Sequence, residues 1–437
     1  MASGGKHSRF QDFNFSEFPQ RATIILMKSR FLCFVVCTLL LTSINPLHGE
    51  QPPANSRRAF KVGVIASLTG SGNSLGQDTV AALQIATAQL DAQAKANHGG
   101  YRFHLLVRDT QQDPVKALAA IKDLDKRGVQ IIVGPQTSSE VAMIKPYADA
   151  HDILIISQGS TASSLSIPGD NIFRFCPNDV REAEAVVALM QHDGIHSIVP
   201  LWRNDAGNNG LHDSVKAALE NVGGTVTAGF QYQPTTTDFS AAMTAVASQI
   251  QSLVTAGADP NSVAIYSAAF DEIVGVFHSA AASATLSSTR WYGSDGVALS
   301  AALTGDASAA AFAASAYYPN PTFGLDPALQ NLWQPIANEI KARTGIAPDA
   351  FALSAYDALF VVEQALRSAG NLKDFAAFKA AFVEAANAYS GITGPTALDA
   401  AGDRLSADFD FWAVRQVNGT FSWIRIAAYT NGTITLF

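Results

Sequence analysis

The chain has little charge and almost no cysteine: Asp, Glu, Lys and Arg make up 15% of its 437 residues, and Cys occurs three times. A disulfide-stapled scaffold needs far more Cys, and a disordered chain needs more charge and less than the 48% apolar content found here. No run of Lys and Arg follows the spacing of a phosphate backbone, and the formal net charge is −8, so nucleic acid is not an expected partner. Three motifs are also missing. No GKS or GKT follows a strand to cradle phosphate, no G-x-S-x-G elbow presents a nucleophile, and no CxxC pair anchors a metal. His192 and His196 have HxxxH spacing but flank Asp193-Gly194, which reads as a turn rather than one helix face. The expectation is therefore a non-enzyme with no catalytic residue, no metal and no cofactor.

Residues 27–50 read MKSRFLCFVVCTLLLTSINPLHGE, with cations at Lys28 and Arg30 ahead of an 11-residue apolar run from Phe31 to Leu41. A membrane helix needs about 20 such residues, so the segment reads as a secretion signal. Residues 1–26 then read as a misassigned start. Residues 1–49 are the upstream extension and signal peptide, with cleavage expected between Ser43 and Ala54. They hold five Lys plus Arg and two Asp plus Glu, so the mature chain carries 24 against 35, a net charge of −11. Cys33 and Cys37 leave with the signal. Cys176 remains alone, which excludes an intramolecular disulfide. The expected location is periplasmic or otherwise secreted, with no stable membrane insertion after signal removal.

Beyond residue 58 short β-branched runs alternate with helical patterns. Lys61–Leu68 precedes a helix over 76–96, followed by strand–helix pairs at 103–109 and 114–127, 131–133 and 138–151, and 153–157 and 160–166. A second series runs from a helix near Asp179 to a strand at 289–292, through strands at 197–202, 225–231 and 262–267. Such alternation specifies α/β architecture with parallel sheets. Helices follow at 327–344, 350–369 and 374–388, and the end is β-rich, with strands at 409–417 and 421–430 around an Asn418-Gly419 turn.

The glycine loop Gly70-Ser71-Gly72-Asn73-Ser74-Leu75-Gly76 is one residue off the dinucleotide fingerprint and does not specify a nucleotide. More informative are two loops of small hydroxyl residues at strand carboxyl ends, Gly134–Glu140 and Ser157–Thr161. Each offers backbone N–H groups and hydroxyls at a helix start, an arrangement that holds a carboxylate without arginine. Plain helix capping needs the same residues.

Three runs, KVGVIASLTGSGNSLGQD, VRDTQQDPVKALAAIKDLDKRGVQIIVGPQTSSEVA and ILIISQGSTASSLSIPGDNIFRFCPND, together with FALSAYDAL and GITGPTALDAAGDR, resemble the leucine/isoleucine/valine-binding proteins of bacterial ABC importers over most of residues 58–437. The resemblance implies two doubly wound three-layer α/β lobes joined by three crossover strands, the type I periplasmic binding protein fold. Lobe 1 would take 58–178 plus 320–406, and lobe 2 would take 179–319 plus 407–437. It also implies capture of an amino acid, branched-chain or otherwise apolar, in the interlobe cleft and its delivery to an importer permease. By the same resemblance the ligand carboxylate falls to Ser138, Gly159 through its backbone, and Thr161, and the ammonium falls to Asp295. Leu75 and Gly207 stand where relatives carry aromatic residues, so the pocket is expected to be roomier. Trp202, Tyr266 and Phe270 are either its walls or core. The cysteines that bridge the first lobe in some relatives fall at Gln112 and Thr137.

Three other readings compete. A binder of a non-amino-acid carboxylate or amide would share the fold, and a sensory receptor module would need a membrane helix that this chain does not show before Phe437. An exported hydrolase would consume its ligand.

Overall fold

Residues 58–70, 72–405 and 408–437 are described by the computed structural model, and the expected signal and cleavage region lie outside them. The first strand–helix series consists of β1 (Arg58–Ala66), α1 (Asn73–Ala96), β2 (Tyr101–Asp109), α2 (Pro114–Lys126), β3 (Ile131–Val133), α3 (Ser138–Ala150), β4 (Leu154–Ser157) and β5 (Ile172–Arg174). Its strands form one parallel sheet in the order β2-β1-β3-β4-β5. Strands β3 and β4 are buried along their whole length, which is why they read as unbroken apolar runs rather than alternating ones.

The second series is α4 (Asp179–His192), β6 (Ser197–Arg203), α5 (Ala206–Asn221), β7 (Thr225–Val226), β8 (Phe230–Tyr232), α6 (Ser240–Thr255), β9 (Val263–Ala268), α7 (Ile273–Ala280), α8 (Ala284–Ser288) and β10 (Arg290–Tyr292). It builds a second parallel sheet, β10-β9-β6-β7, with β8 also on β6. The single strand expected over 225–231 is thus two short ones. The break is at Gly229, whose φ is 64° and where a Cβ would lie 2.2 Å from the Pro200 carbonyl oxygen.

After α9 (Ala301–Gly305), α10 (Ala307–Ser315) and β11 (Asn320–Phe323), the chain returns to the first sheet as α11 (Gln330–Thr344), α12 (Ala350–Ala369) and α13 (Phe375–Ala388). Ile340, Leu359, Phe378 and Phe382 from these helices share a core with Val62, Val64 and Ile131. A small ladder of β12 (Ser390–Gly391) and β13 (Gly394–Pro395) precedes β14 (Phe409–Val417), β15 (Thr420–Thr430) and β16 (Thr433–Leu436). With β11 these last three make an antiparallel sheet, and β14 and β15 meet at Asn418-Gly419, both at positive φ as the turn requires. The chain therefore passes between the two α/β lobes three times, after β5, at β11 and before β14. The passes are laced together: Gly324 N–H donates to the Asp408 carbonyl (2.8 Å), and Arg174 pairs with Asp403.

The helix expected over 160–166 is only a short turn at Ser163–Leu165. The Ser157 hydroxyl accepts from Ser160 N–H (3.0 Å) and donates to the Pro135 carbonyl (2.6 Å), so local side-chain bonds take the place of helical ones. Strands β5, β11 and β16 were not expected, nor was α10. The last is alanine-rich on its exposed as well as its buried face, so it carries no strong polar stripe to reveal a helical period.

Candidate functional site

The carboxyl ends of β3 and β4 carry the first part of the site. Thr137 caps α3: its hydroxyl accepts from Glu140 N–H (3.4 Å) and donates to the Glu140 carboxylate (2.6 Å). Ser138, relieved of capping, accepts from Ala162 N–H and from the Ser160 hydroxyl, both at 3.1 Å, which leaves its own proton for an acceptor in the cavity. The neighbouring loop is held from behind by Arg174, which donates to the carbonyls of Ser160 (3.2 Å) and Ala162 (2.7 Å) and grips Asp403 with two bonds of 2.5 Å. Gly159 is the residue the loop permits there, because a Cβ would lie 3.0 Å from the Gln136 carbonyl oxygen. Gly76 has a similar role, since a Cβ would sit 1.8 Å from the Ser67 carbonyl. The glycine loop thus lets α1 press against the end of β1.

From the second lobe, the end of β6 brings Asp205 and Gly207. Asp205 caps α5 through Asn208 N–H (3.0 Å) and pairs with Arg203 (2.8 Å). A Cβ on Gly207 would lie 3.7 Å from Ser138 Oγ, so the two lobes are in near contact here. Two hydrogen bonds of 3.2 Å join them: Ala206 N–H donates to Ser139 Oγ, and Gly72 N–H to Asp271 Oδ2. The ends of β9 and β10 bring Phe270, Asp271 and Asp295. Together these elements enclose a cavity of about 110 Å³ at the carboxyl ends of both sheets, comparable with the roughly 150 Å³ of an engineered core cavity that accommodates benzene.

Six of the seven residues expected from the resemblance line this cavity: Leu75, Ser138, Gly159, Thr161, Gly207 and Asp295. Tyr266 does not. It sits mid-strand in β9, fully buried beside Leu211 and Tyr292, with its hydroxyl unpartnered, and Phe270 beyond the strand end supplies wall instead. Trp202 is also elsewhere, stacked on His212 at 3.8 Å. Sequence reasoning missed Asp78, Asp205, Asp271 and Asp349, all on the lining. Asp78 had left a signal, as an acid on the buried face of α1 between Leu75 and Ala82.

The acids have unusual electrostatics. Burial pushes Asp78 up to about 7, with the nearby Asp349 carboxylate adding to the shift. Burial likewise raises Asp349 to about 6 and Asp179, whose N–H donates to the Thr161 carbonyl (2.9 Å), to about 7. Asp295 and Glu182 are both raised, first by burial and then by neighbouring carboxylates; Asp295 N–H donates to Glu182 Oε1 (3.1 Å).

Two α/β lobes that enclose a cavity at their strand ends define the type I periplasmic binding protein class. A family model described as periplasmic binding protein matches residues 59–420, and the chain belongs to that family. A Leu/Ile/Val-binding protein of Rhizobium johnstonii is 25% identical over 356 residues, covering 80% of this chain and 90% of the relative. Among solved structures, the branched-chain amino acid transporter substrate-binding protein of Streptococcus pneumoniae in complex with isoleucine superimposes with a TM-score of 0.67 at 19% identity, over 84% of this chain and 99% of that one. A solute-binding protein of an ABC transporter from Rhodopseudomonas palustris, in complex with 3,4-dihydroxybenzoic acid, does so with a TM-score of 0.65 at 18% identity, over 85% and 97%. The family and fold are those of solute-binding proteins. No helix among the described residues is long and apolar enough to cross a membrane.

Proposed function

We propose that this chain is an extracytoplasmic solute-binding protein that captures an α-amino acid between its lobes and presents the closed complex to the permease of an ABC importer. Lobe 1 comprises 58–178 and 320–406, and lobe 2 comprises 179–319 and 407–437. Residues 1–49 direct export to the periplasm or beyond. The observation that carries this reading is the pairing, on one cavity, of the hydroxyl-rich start of α3 with the Asp295 carboxylate from the opposite lobe.

The ligand carboxylate accepts from Ser138, Thr161 and Gly159 N–H, favoured by the positive end of α3. Its ammonium donates to Asp295, a charge-assisted bond worth roughly 1.5–3 kcal/mol. Leu75, Leu211 and Phe351 offer apolar contact to a branched-chain or other aliphatic side chain. Because the ligand touches both lobes only when they approach, it favours closure by its differential binding energy, and the permease reads closure. No bond is made or broken and no cofactor is used.

A thermal-shift screen of the purified protein against amino acids, amides and aromatic acids tests this. Ligand at about 100 times its Kd adds roughly 2.7 kcal/mol of stability. Hits among α-amino acids, recovered unchanged after incubation, are expected. Hits confined to acids without an amine would remove Asp295 from its role, and consumption of the ligand would point to an enzyme.

A further inference from the structure

Resting on the amino-acid reading above, we infer that the side chain recognised is an aliphatic stem ending in a cation, so the ligand class is the basic α-amino acids. Five aspartates line the cavity (Asp78, Asp205, Asp271, Asp295 and Asp349), and among the described residues no lysine, arginine or histidine does. Asp205 pairs with Arg203, and Asp271 accepts from Gly72 N–H and from the Ser300 hydroxyl (2.6 Å). The α-ammonium takes Asp295. Asp78 and Asp349 remain.

Asp349 caps α12 through Ala352 N–H (2.8 Å), which still leaves its charge at the cavity wall. Asp78 is 2% exposed, lines the cavity and has a side-chain hydrogen bond with Thr344, while its Oδ1 has no hydrogen-bond partner. A buried carboxylate in that condition is costly unless a cation or donor arrives. Asp349 acts electrostatically on both Asp78 and Asp295, so the three acids share one low-dielectric space, and a ligand with a single ammonium would neutralise only one of them. Among the described residues no group of three acids, histidines or cysteines is arranged to hold a metal ion. Separate cationic groups on one organic molecule fit these charges better than a single ion does. Leu75 precedes Asp78 by one helical turn on the same face of α1, and Ile346 and Phe351 flank Asp349 in sequence, so apolar contact for a methylene stem lies next to the acids that would meet its head.

Isothermal titration with lysine and with norleucine, which keeps the stem and lacks the terminal ammonium, tests the inference. Lysine is expected to bind at least about tenfold more tightly, and Asp78→Asn to remove at least about tenfold of lysine affinity while leaving norleucine within about threefold. Norleucine binding as tightly as lysine, or Asp78→Asn leaving their ratio unchanged, would overturn the basic side chain and leave the amino-acid reading standing. Failure of every α-amino acid to bind would overturn both. If Asp78→Asn does not fold, Asp349→Ser, which retains a capping oxygen, is expected to lower the lysine-to-norleucine ratio, and an unchanged ratio there refutes the inference equally.

Discussion

Two groups of buried charge in this protein behave in opposite ways. Arg174 and Asp403 are each almost wholly buried and fully engaged, with two bonds to each other and further bonds from the guanidinium to Ser160, Ala162 and Ser166. Burial alone would lower the arginine's pKa, and Asp403 more than offsets it. Asp78, buried, and Asp295 and Asp349, half-buried, line one cavity with no cation on it among the described residues, and they are pushed toward neutrality instead. The first arrangement belongs to the scaffold: it joins the end of β5, the Asp403 segment and the loop beside Ser138. The second has no cation among the described residues, as expected of groups whose partner arrives from solution.

Breaking the scaffold pair should have the largest effect. Arg174→Met leaves Asp403 buried without a cation and is expected to cost about 3–5 kcal/mol in urea unfolding, whereas replacing both partners by apolar residues recovers much of the loss. If the single and double variants are equally unstable, packing rather than charge dominates there.

Substitutions in the cavity should separate binding from stability. Ser138→Ala and Asp295→Ala are each expected to weaken ligand binding by about tenfold or more, roughly 1.4 kcal/mol, by calorimetry, without the unfolding penalty seen at Arg174. Unchanged binding by both variants would refute this site.

The pH dependence sharpens the contrast further. Asp78, Asp179 and Asp349 have folded values of about 7, 7 and 6, above the usual carboxylate value near 3.8. Their protonated forms are favoured in the fold, so the stability they confer is full below about pH 4 and is lost as pH rises toward 7. Thermal melts without ligand should therefore give a higher Tm near pH 5 than near pH 8, and a basic ligand should flatten the difference. A ligand-free Tm that rises with pH across this range would contradict the assignment. The smallest effect is expected at Gly207→Ala. Its methyl group would meet Ser138 at an ordinary 3.7 Å, and alanine favours α5, so stability should change by a few tenths of a kcal/mol upward.

Much of this was legible in the sequence because the signals were local. Alternating β-branched runs and helical periods marked most strands and helices, and Ala350–Ala369 and Phe409–Val417 fall where periodicity placed them. Elements without a periodic signature escaped, as α10 and the three-residue strand β5 show. At the site, the hydroxyl loops were readable because they follow strands directly. Tyr266 was misplaced because being near a strand end in sequence does not say which way a side chain points.

The sequence by itself determined the α/β architecture and the loops that begin α3 and precede Asp179, since each follows from neighbouring residues. Only the tertiary structure decided that Asp78, Asp295 and Asp349, separated by more than two hundred positions between the first and the last, share one cavity on which no described residue places a cation. Such proximity arises from three passes of the chain between lobes and from closure of one lobe on the other, and electrostatics in a dry space depends on that proximity rather than on order along the chain.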